Sequence, residues 1–398
     1  AATVEVDGDA ARLAMVAGDG TVLAAAWAGG ALGLTVRTAG GQVSTHRSRR
    51  MGSLRTAPGA IGLTLTGGHL TAWSRDADAW VVRGRVHLRG LVDTHDERWL
   101  ASLALEHDGG RVEHGTFGQL GLRDTRLVTH ADGSAYSPDG WVWLTATAAG
   151  PGFFDTAHTG LWRLEPTTLA LEHRAHLFFR RPDRPGVYGD HATHLVREGE
   201  GWLVATSTWG DFDRRTPVVG VTLARTDADL TAGSHVLDTA ALDLPVDGLR
   251  SRGQWDPHLV LHDDTWHVGF ASARRFFRFH PALATGPALD RLTLRAAAAD
   301  RTSTEGTTLL RLPDGSLRVL ASDGRDGRRR QRGRFPVFDL DLTEVGALDA
   351  PYPTNIPWPT LVRTGAGWLM LTFDATGTGG PLPGYGTHGD LVVMRGRP

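Results

Sequence analysis

Short apolar runs separated by Gly- and Asp-rich turns fill the chain, and helical periodicity is nearly absent. One pattern recurs. In Asp124-Thr-Arg-Leu127-Val an acid and two spacers precede a Leu-Val pair; a turn and a Trp-bearing strand, Trp141-Val-Trp-Leu-Thr, follow. The pattern returns at Asp190-His-Ala-Thr-His-Leu195-Val, Asp256-Pro-His-Leu259-Val, Glu305-Gly-Thr-Thr-Leu309-Leu and Trp358-Pro-Thr-Leu361-Val. The leucines fall at 127, 195, 259, 309 and 361, spacings of 68, 64, 50 and 52 residues. A unit of this length holds one small sheet that cannot bury both faces alone, so five copies predict a five-bladed β-propeller over residues 115–398. The strand Asp390-Leu-Val-Val-Met394 is expected to complete the last blade and close the ring. Leu161 to Leu171 reads as strand or loop.

Residues 1–112 lack the repeat. Alternating runs such as Leu32-Gly-Leu-Thr-Val and Ile61-Gly-Leu-Thr-Leu, broken by Gly40-Gly41 and Gly67-Gly68, predict an antiparallel β-sandwich. The whole chain is thus expected to be all-β. Trp73, Trp80 and Trp99 are expected in the sandwich core. Trp202, Trp266 and Trp368 recur at one strand position and are expected in blade cores.

The first strand of each propeller blade lines the central channel. Residues just before each Leu therefore converge on one pocket: Asp124, the Asp190/His191/His194 group, Asp256, Glu305, and Asn355 or Trp358. Carboxylates gathered there repel one another, so one can keep its proton and act as an acid while another stays ionised as a base. That pair is the requirement for glycoside hydrolysis. Trp209, Trp255 and Trp358, at blade edges, are candidate platforms for sugar rings. Arg252 and Arg274 could hold an acidic sugar, or fix Asp256. His191 and His194 stand three apart on a strand, hence on opposite faces, which disfavours a two-His metal site and leaves one His for the channel.

Composition narrows the field. Formal net charge is −2, so the chain has no global pull toward nucleic acid, and the run Arg328 to Arg334 reads as an exposed loop. Cys is absent, which removes thiol catalysis and Cys-ligated metals. No apolar run reaches membrane-spanning length, so no membrane insertion is expected. The sequence opens on Ala1-Ala2-Thr without Met, in keeping with a secreted bacterial protein.

An Asp in blade one, an Asp in blade three and a Glu in blade four, 132 and then 49 residues apart, resemble the arrangement of glycoside hydrolase family 43 and its five-bladed relatives, families 32, 62, 68 and 117. The stretch from Gly62 to Trp73 resembles strands of concanavalin-like sandwich modules. By the first resemblance Asp124 is the general base, Asp256 the residue that tunes and positions the acid, and Glu305 the general acid. It further implies an inverting hydrolase of a furanoside or pentose linkage in a plant or bacterial polysaccharide, akin to arabinofuranosidases, with acid and base about 6.5–9.5 Å apart. It also implies that no cofactor is required, and that His388 could hold a channel ion such as a structural calcium. The chain departs from the family in Thr125 and Thr307, where Pro is common, and in the long segment before Asp124. Two other classes fit the residues: a polysaccharide lyase using His191 or His194 with Arg252 or Arg274 on a uronate, and a non-catalytic carbohydrate-binding propeller. The unequal polar residues of the five repeats argue against the latter.

Overall fold

The computed structural model describes residues 1–116, 121–152, 154–324, 326, 332–353, 356–365, 367–377 and 388–396, the side chains of 375–377 and 388 excepted. The fold is all-β. Residues between 2 and 114 form two five-stranded antiparallel sheets. One runs in the order Val112–His114, Ala2–Glu5, Ala60–Thr66, His69–Asp76, Ala79–His87; the other runs Val43–His46, Ala31–Arg37, Val22–Ala28, Ala10–Val16, Ala104–Asp108. Alternation decides which side chains meet between them. Leu32, Leu34 and Val36 point inward on one strand and meet Ile61, Leu63 and Leu70 of the facing sheet, making a single sandwich core. Trp73 is buried, and Trp99 packs on this core from a short α-helix, Glu97–Ala101, capped by Asp96. Trp80 departs from expectation: it is 39 % exposed, with Arg75 over its ring.

Five consecutive sheets follow, the blades of a β-propeller. Their inner strands are Leu122–Leu127, His191–Glu198, Gly253–His262, Thr304–Arg311 and Thr360–Thr364, each carrying the leucine of its repeat. Each pairs antiparallel with the strand after it, Trp-bearing in every blade but the fourth. Apolar cores lie between neighbouring blades: Trp143, Leu195 and Trp202 between the first two, Leu259 and Trp266 on the next face, and Val260, Leu309 and Val319 beyond. Trp368 is only half-buried. Blades one and two also trade strands. Thr129–His130 pairs parallel with the inner strand of blade two, and Gly233–Asp238 adds to the outer part of blade one beside Leu171–Arg180. Of Leu161 to Leu171, the first four residues end the strand His158–Leu164, Glu165 to Ala170 make a turn, and Leu171 opens the next strand.

Among the described residues blade five has three strands, ending with His388–Gly396. It meets blade one by packing Val362, Leu369 and Leu371 on Leu127, Val142 and Leu144, and Thr360 Oγ1 donates to Thr125 O at 2.9 Å. The ring therefore closes by side-chain packing between the first and last sheets. The sandwich is held on blade one by polar contacts: Glu97 with Arg180 at 2.6 and 2.8 Å, Arg85 with Pro151 O at 2.7 Å, and Val187 N with His95 O at 2.9 Å.

Candidate active site

The site rests on a backbone device repeated in four blades. Each inner strand loses register with its neighbour between the residue four before its leucine and the residue one before it: Arg123/Arg126, His191/His194, Trp255/His258 and Glu305/Thr308. One extra residue is inserted, and the third residue before each leucine takes a left-handed conformation: Asp124 (φ 51°), Ala192 (φ 59°), Asp256 (φ 62°) and Gly306 (φ 73°). Glycine and aspartate accept that region more readily than most residues. The insertion reverses the parity of the strand, so positions three apart share a face. This corrects the expectation for His191 and His194, which lie on one side of their strand.

Asp124, Asp256 and Glu305 come together as predicted. Their charges act on one another and on Arg126, whose buried guanidinium donates to Asp256 O at 3.0 Å, to Gly306 O at 3.4 Å and, in a short contact, to Thr308 Oγ1. Trp358 lies under it, its ring 4.6 Å from the guanidinium carbon. Arg123 Nε stands 3.9 Å from Asp124 Oδ1. Burial is the largest cause raising Glu305, to about 7; the charge of Asp124 adds to it, and a hydrogen bond from Trp255 Nε1, 3.4 Å from Oε2, opposes it. Asp256 is raised well above the usual carboxylate range by burial, then by Glu305 and Asp124, while Arg126 and the amide of Gly306 pull it down. Its Oδ2 has no hydrogen-bond partner among the described residues. Burial also lowers Arg126, to about 10, so it is charged at neutral pH.

One turn further along the channel lie His194 and His258, stacked at 4.0 Å. Nδ1 of His194 accepts Leu259 N at 3.0 Å, and its Nε2 meets Thr129 Oγ1 at 3.1 Å. Burial drives His194 down to about 3 and His258 well below its usual value, so both are neutral. Both nitrogens of His194 are thus engaged by the protein, and it belongs to the channel floor. The charge of Arg126 acts on both imidazoles and helps to keep them neutral. His191 sits higher, beside Asp124, with Nδ1–H donating to Gly189 O at 3.0 Å.

The three predicted sugar platforms are not open faces. Trp209, Trp255 and Trp358 are 6 %, 4 % and 2 % exposed. Trp209 stacks on His191 and packs with Phe154, Phe212, Trp255 and Phe276, an aromatic wall that burial favours over solvent. Trp358 fills the space a side chain at 306 would need. Arg252 is exposed beside a cavity lined by Phe212, Trp255 and Phe276, and Arg274 stands near His280. Neither forms an ion pair with Asp256 among the described residues. Asn355 and the side chain of His388 lie outside those residues, as does most of the Arg328–Arg334 run. Sequence reasoning missed Arg126 as a site residue, together with His258 and Phe154. The first two share with His194 the position just before the repeat leucine, the register that marks the channel floor.

No protein-family model and no curated protein sequence matches the chain. Among solved structures it is similar to a family 117 glycoside hydrolase of the marine bacterium Zobellia galactanivorans, with 12 % identity, 69 % of this chain and 84 % of that one covered, and a TM-score of 0.48. It is similar also to a family 43 enzyme of Xanthomonas citri, crystallised with xylotriose, at 13 % identity, 70 % and 88 % coverage and a TM-score of 0.47. A sucrose-6-phosphate hydrolase from Lactobacillus gasseri matches at 10 % identity, with 70 % and 59 % covered and a TM-score of 0.48. At identities this low the likeness concerns the fold and says nothing of the chemistry.

Proposed function

We propose that the protein is an inverting glycoside hydrolase whose acid is Glu305 and whose base is Asp124. The observation that carries this reading is the meeting of three carboxylates from three blades around one buried arginine, with Glu305 raised to about 7 so that it still holds a proton near neutral pH. Glu305 gives that proton to the glycosidic oxygen as the bond from the anomeric carbon breaks. Asp124 takes a proton from the water that attacks from the opposite face, and the sugar leaves with its anomeric configuration inverted. Asp256 is a positioning residue: its carboxylate accepts the amide of Gly306, next in sequence to the acid, and its carbonyl is held by Arg126. Phe154 and Phe276, half-buried where they cover Trp209 beside His191, offer apolar surface to a sugar ring at the site's margin.

The same reading makes residues 115–398 the catalytic module and residues 1–112 an accessory sandwich. The substrate is an oligo- or polysaccharide with a furanoside or pentose linkage, and the protein works outside the cell. A lyase would need a neutral base free to take a proton, and His194, with both nitrogens bonded, is not one. The test is product release from a panel of plant and bacterial polysaccharides followed by NMR, with Glu305→Gln alongside. Saturated sugar released by the native protein alone, its first anomer inverted, is the expected result. An unsaturated product, or turnover untouched by the substitution, overturns the assignment.

A further inference from the structure

We infer that His69, His87 and Asp155 form a transition-metal site, for zinc or a similar divalent ion, that joins the sandwich to blade one. His69 and His87 are directly opposite on adjacent strands of the sandwich, so their side chains share a face. Asp155 comes from the propeller, on the loop between the second and third strands of blade one. Its Oδ2 stands 3.4 Å from Nδ1 of His69 and 3.3 Å from Nε2 of His87. A tetrahedral ion with bonds of about 2.0–2.1 Å separates its ligand atoms by roughly 3.3–3.4 Å, whereas a charge-assisted hydrogen bond would draw them to about 2.7–2.9 Å. Without an ion the two contacts are long hydrogen bonds that hold the Asp155 carboxyl below its usual range; their lengths match two edges of a coordination tetrahedron, and the three ligand atoms all lie within 4.8 Å of one another.

Two further observations point to a ligand. Nδ1 of His69 is buried, and among the described residues it faces only the Asp155 carboxylate, at 3.4 Å, with no closer hydrogen-bond partner. A cavity of about 420 Å³ opens beside the cluster, lined by His87, Asp155, Arg89, Thr94, Asp93 and Asp211 among others, and gives an ion a way in and a fourth ligand a place. Two imidazoles, a carboxylate and one open position form a familiar donor set for zinc. The scaffold holds the three side chains without an ion: a Cβ on Gly67 would lie 1.7 Å from Asp155 O, so only glycine lets the loop press this closely on the hairpin. One adjustment is required. Nδ1 of His87 accepts the amide of Arg89 at 2.9 Å, which places the ring proton on Nε2; metal binding removes that proton, re-protonates Nδ1 and releases the exposed amide to water. Arg85, which also feels the charge of Asp155, is the neighbouring cation that the ion must tolerate.

The test uses the full chain, free of any affinity tag and stripped of metal. Zinc titrated by calorimetry near neutral pH is expected to bind one ion per chain, with affinity at least tenfold weaker in His87→Gln and in Asp155→Asn. His87 is 39 % exposed, so its substitution leaves folding intact. Cobalt(II) in place of zinc is expected to give the intense visible bands of a four-coordinate site in the native protein and not in His87→Gln. Zinc is also expected to raise the melting temperature of the native chain alone, because the ion ties two modules together. Equal zinc binding by native and His87→Gln protein, or neither heat nor cobalt bands at millimolar metal, overturns the inference.

Discussion

Replacing Glu305 by Gln should make the protein more stable above neutral pH, and the size of the effect follows from the site. In the folded chain Glu305 ionises at about 7 against an ordinary value of 4.5. Its folded value is raised, so its contribution to stability is complete below pH 4.5 and is lost as the pH climbs through 7. A difference of 2.5 units, at about 1.4 kcal/mol per unit, is a ceiling of about 3.4 kcal/mol. Glu305 keeps some contact with solvent, which screens part of this and brings the expected effect to about 2–3 kcal/mol. Gln has the shape of the protonated acid and never ionises, so the variant escapes the loss. If the roughly 280 residues of the propeller melt together, the gain is about 3–5 °C in melting temperature. Thermal melts of native protein and Glu305→Gln from pH 4 to 8.5 should coincide at the acid end, diverge between about pH 4.5 and 7, and keep a constant separation above that, with the variant higher. Parallel curves, or a variant that is less stable at pH 8, would refute the claim that this carboxyl is held protonated by its surroundings.

Three other substitutions probe the same centre. Trp255→Phe keeps the ring but removes the donor to Glu305 Oε2, a bond that favours the ionised form; the Glu305 value should rise by roughly 0.5–1 unit, read by NMR titration of the carboxyl carbon and as a basic limb of kcat/KM moved to higher pH. Gly306→Ala puts a Cβ at positive φ and 2.3 Å from the Trp358 ring, so it should cost on the order of 2–4 kcal/mol in unfolding measurements. Arg126→Met removes the central cation and three donor contacts, and should cost about 3–5 kcal/mol at pH 8. Much of that loss should be recovered at pH 5, where the carboxyls can protonate instead, and a pH-independent loss would show that Arg126 acts through packing alone.

The ring and its three carboxylates were legible because they depend on a repeat. Five leucines in register locate five inner strands, and counting back from each one finds Asp124, Asp256 and Glu305. Face assignment was not legible. It hangs on a one-residue insertion in four strands, and Ala192, the bulge residue of blade two, has nothing in its side chain to announce a left-handed backbone. Strict alternation therefore placed His191 and His194 on opposite faces. Exposure of the tryptophans failed for a related reason: Trp209 follows a strand and precedes Gly210-Asp-Phe, which reads as a loop, yet Phe154 and Phe276 arrive from other blades to cover it. Contacts between modules, such as Asp155 with His69 and His87, join residues that no local pattern connects.

The number of arginines in the site explains why one proton is retained there. Three carboxylates face two guanidiniums, Arg123 and Arg126, and an arginine keeps its charge at any pH relevant here. With every acid ionised the cluster would carry one excess negative charge in a poorly hydrated channel, which the interior disfavours. Holding a single proton cancels it. The upward displacement of both Glu305 and Asp256 expresses this balance, since the pair competes for the same proton and titrates as a unit. Passing the proton from Glu305 to a leaving oxygen would restore the excess charge at the moment Asp124 takes a proton from water and loses its own. The cluster would then end the step with the same net charge it began with, and the proton would have moved from one side of the sugar to the other. The arrangement of acids around Arg126 thus favours concerted transfer over the ionisation of either carboxyl alone.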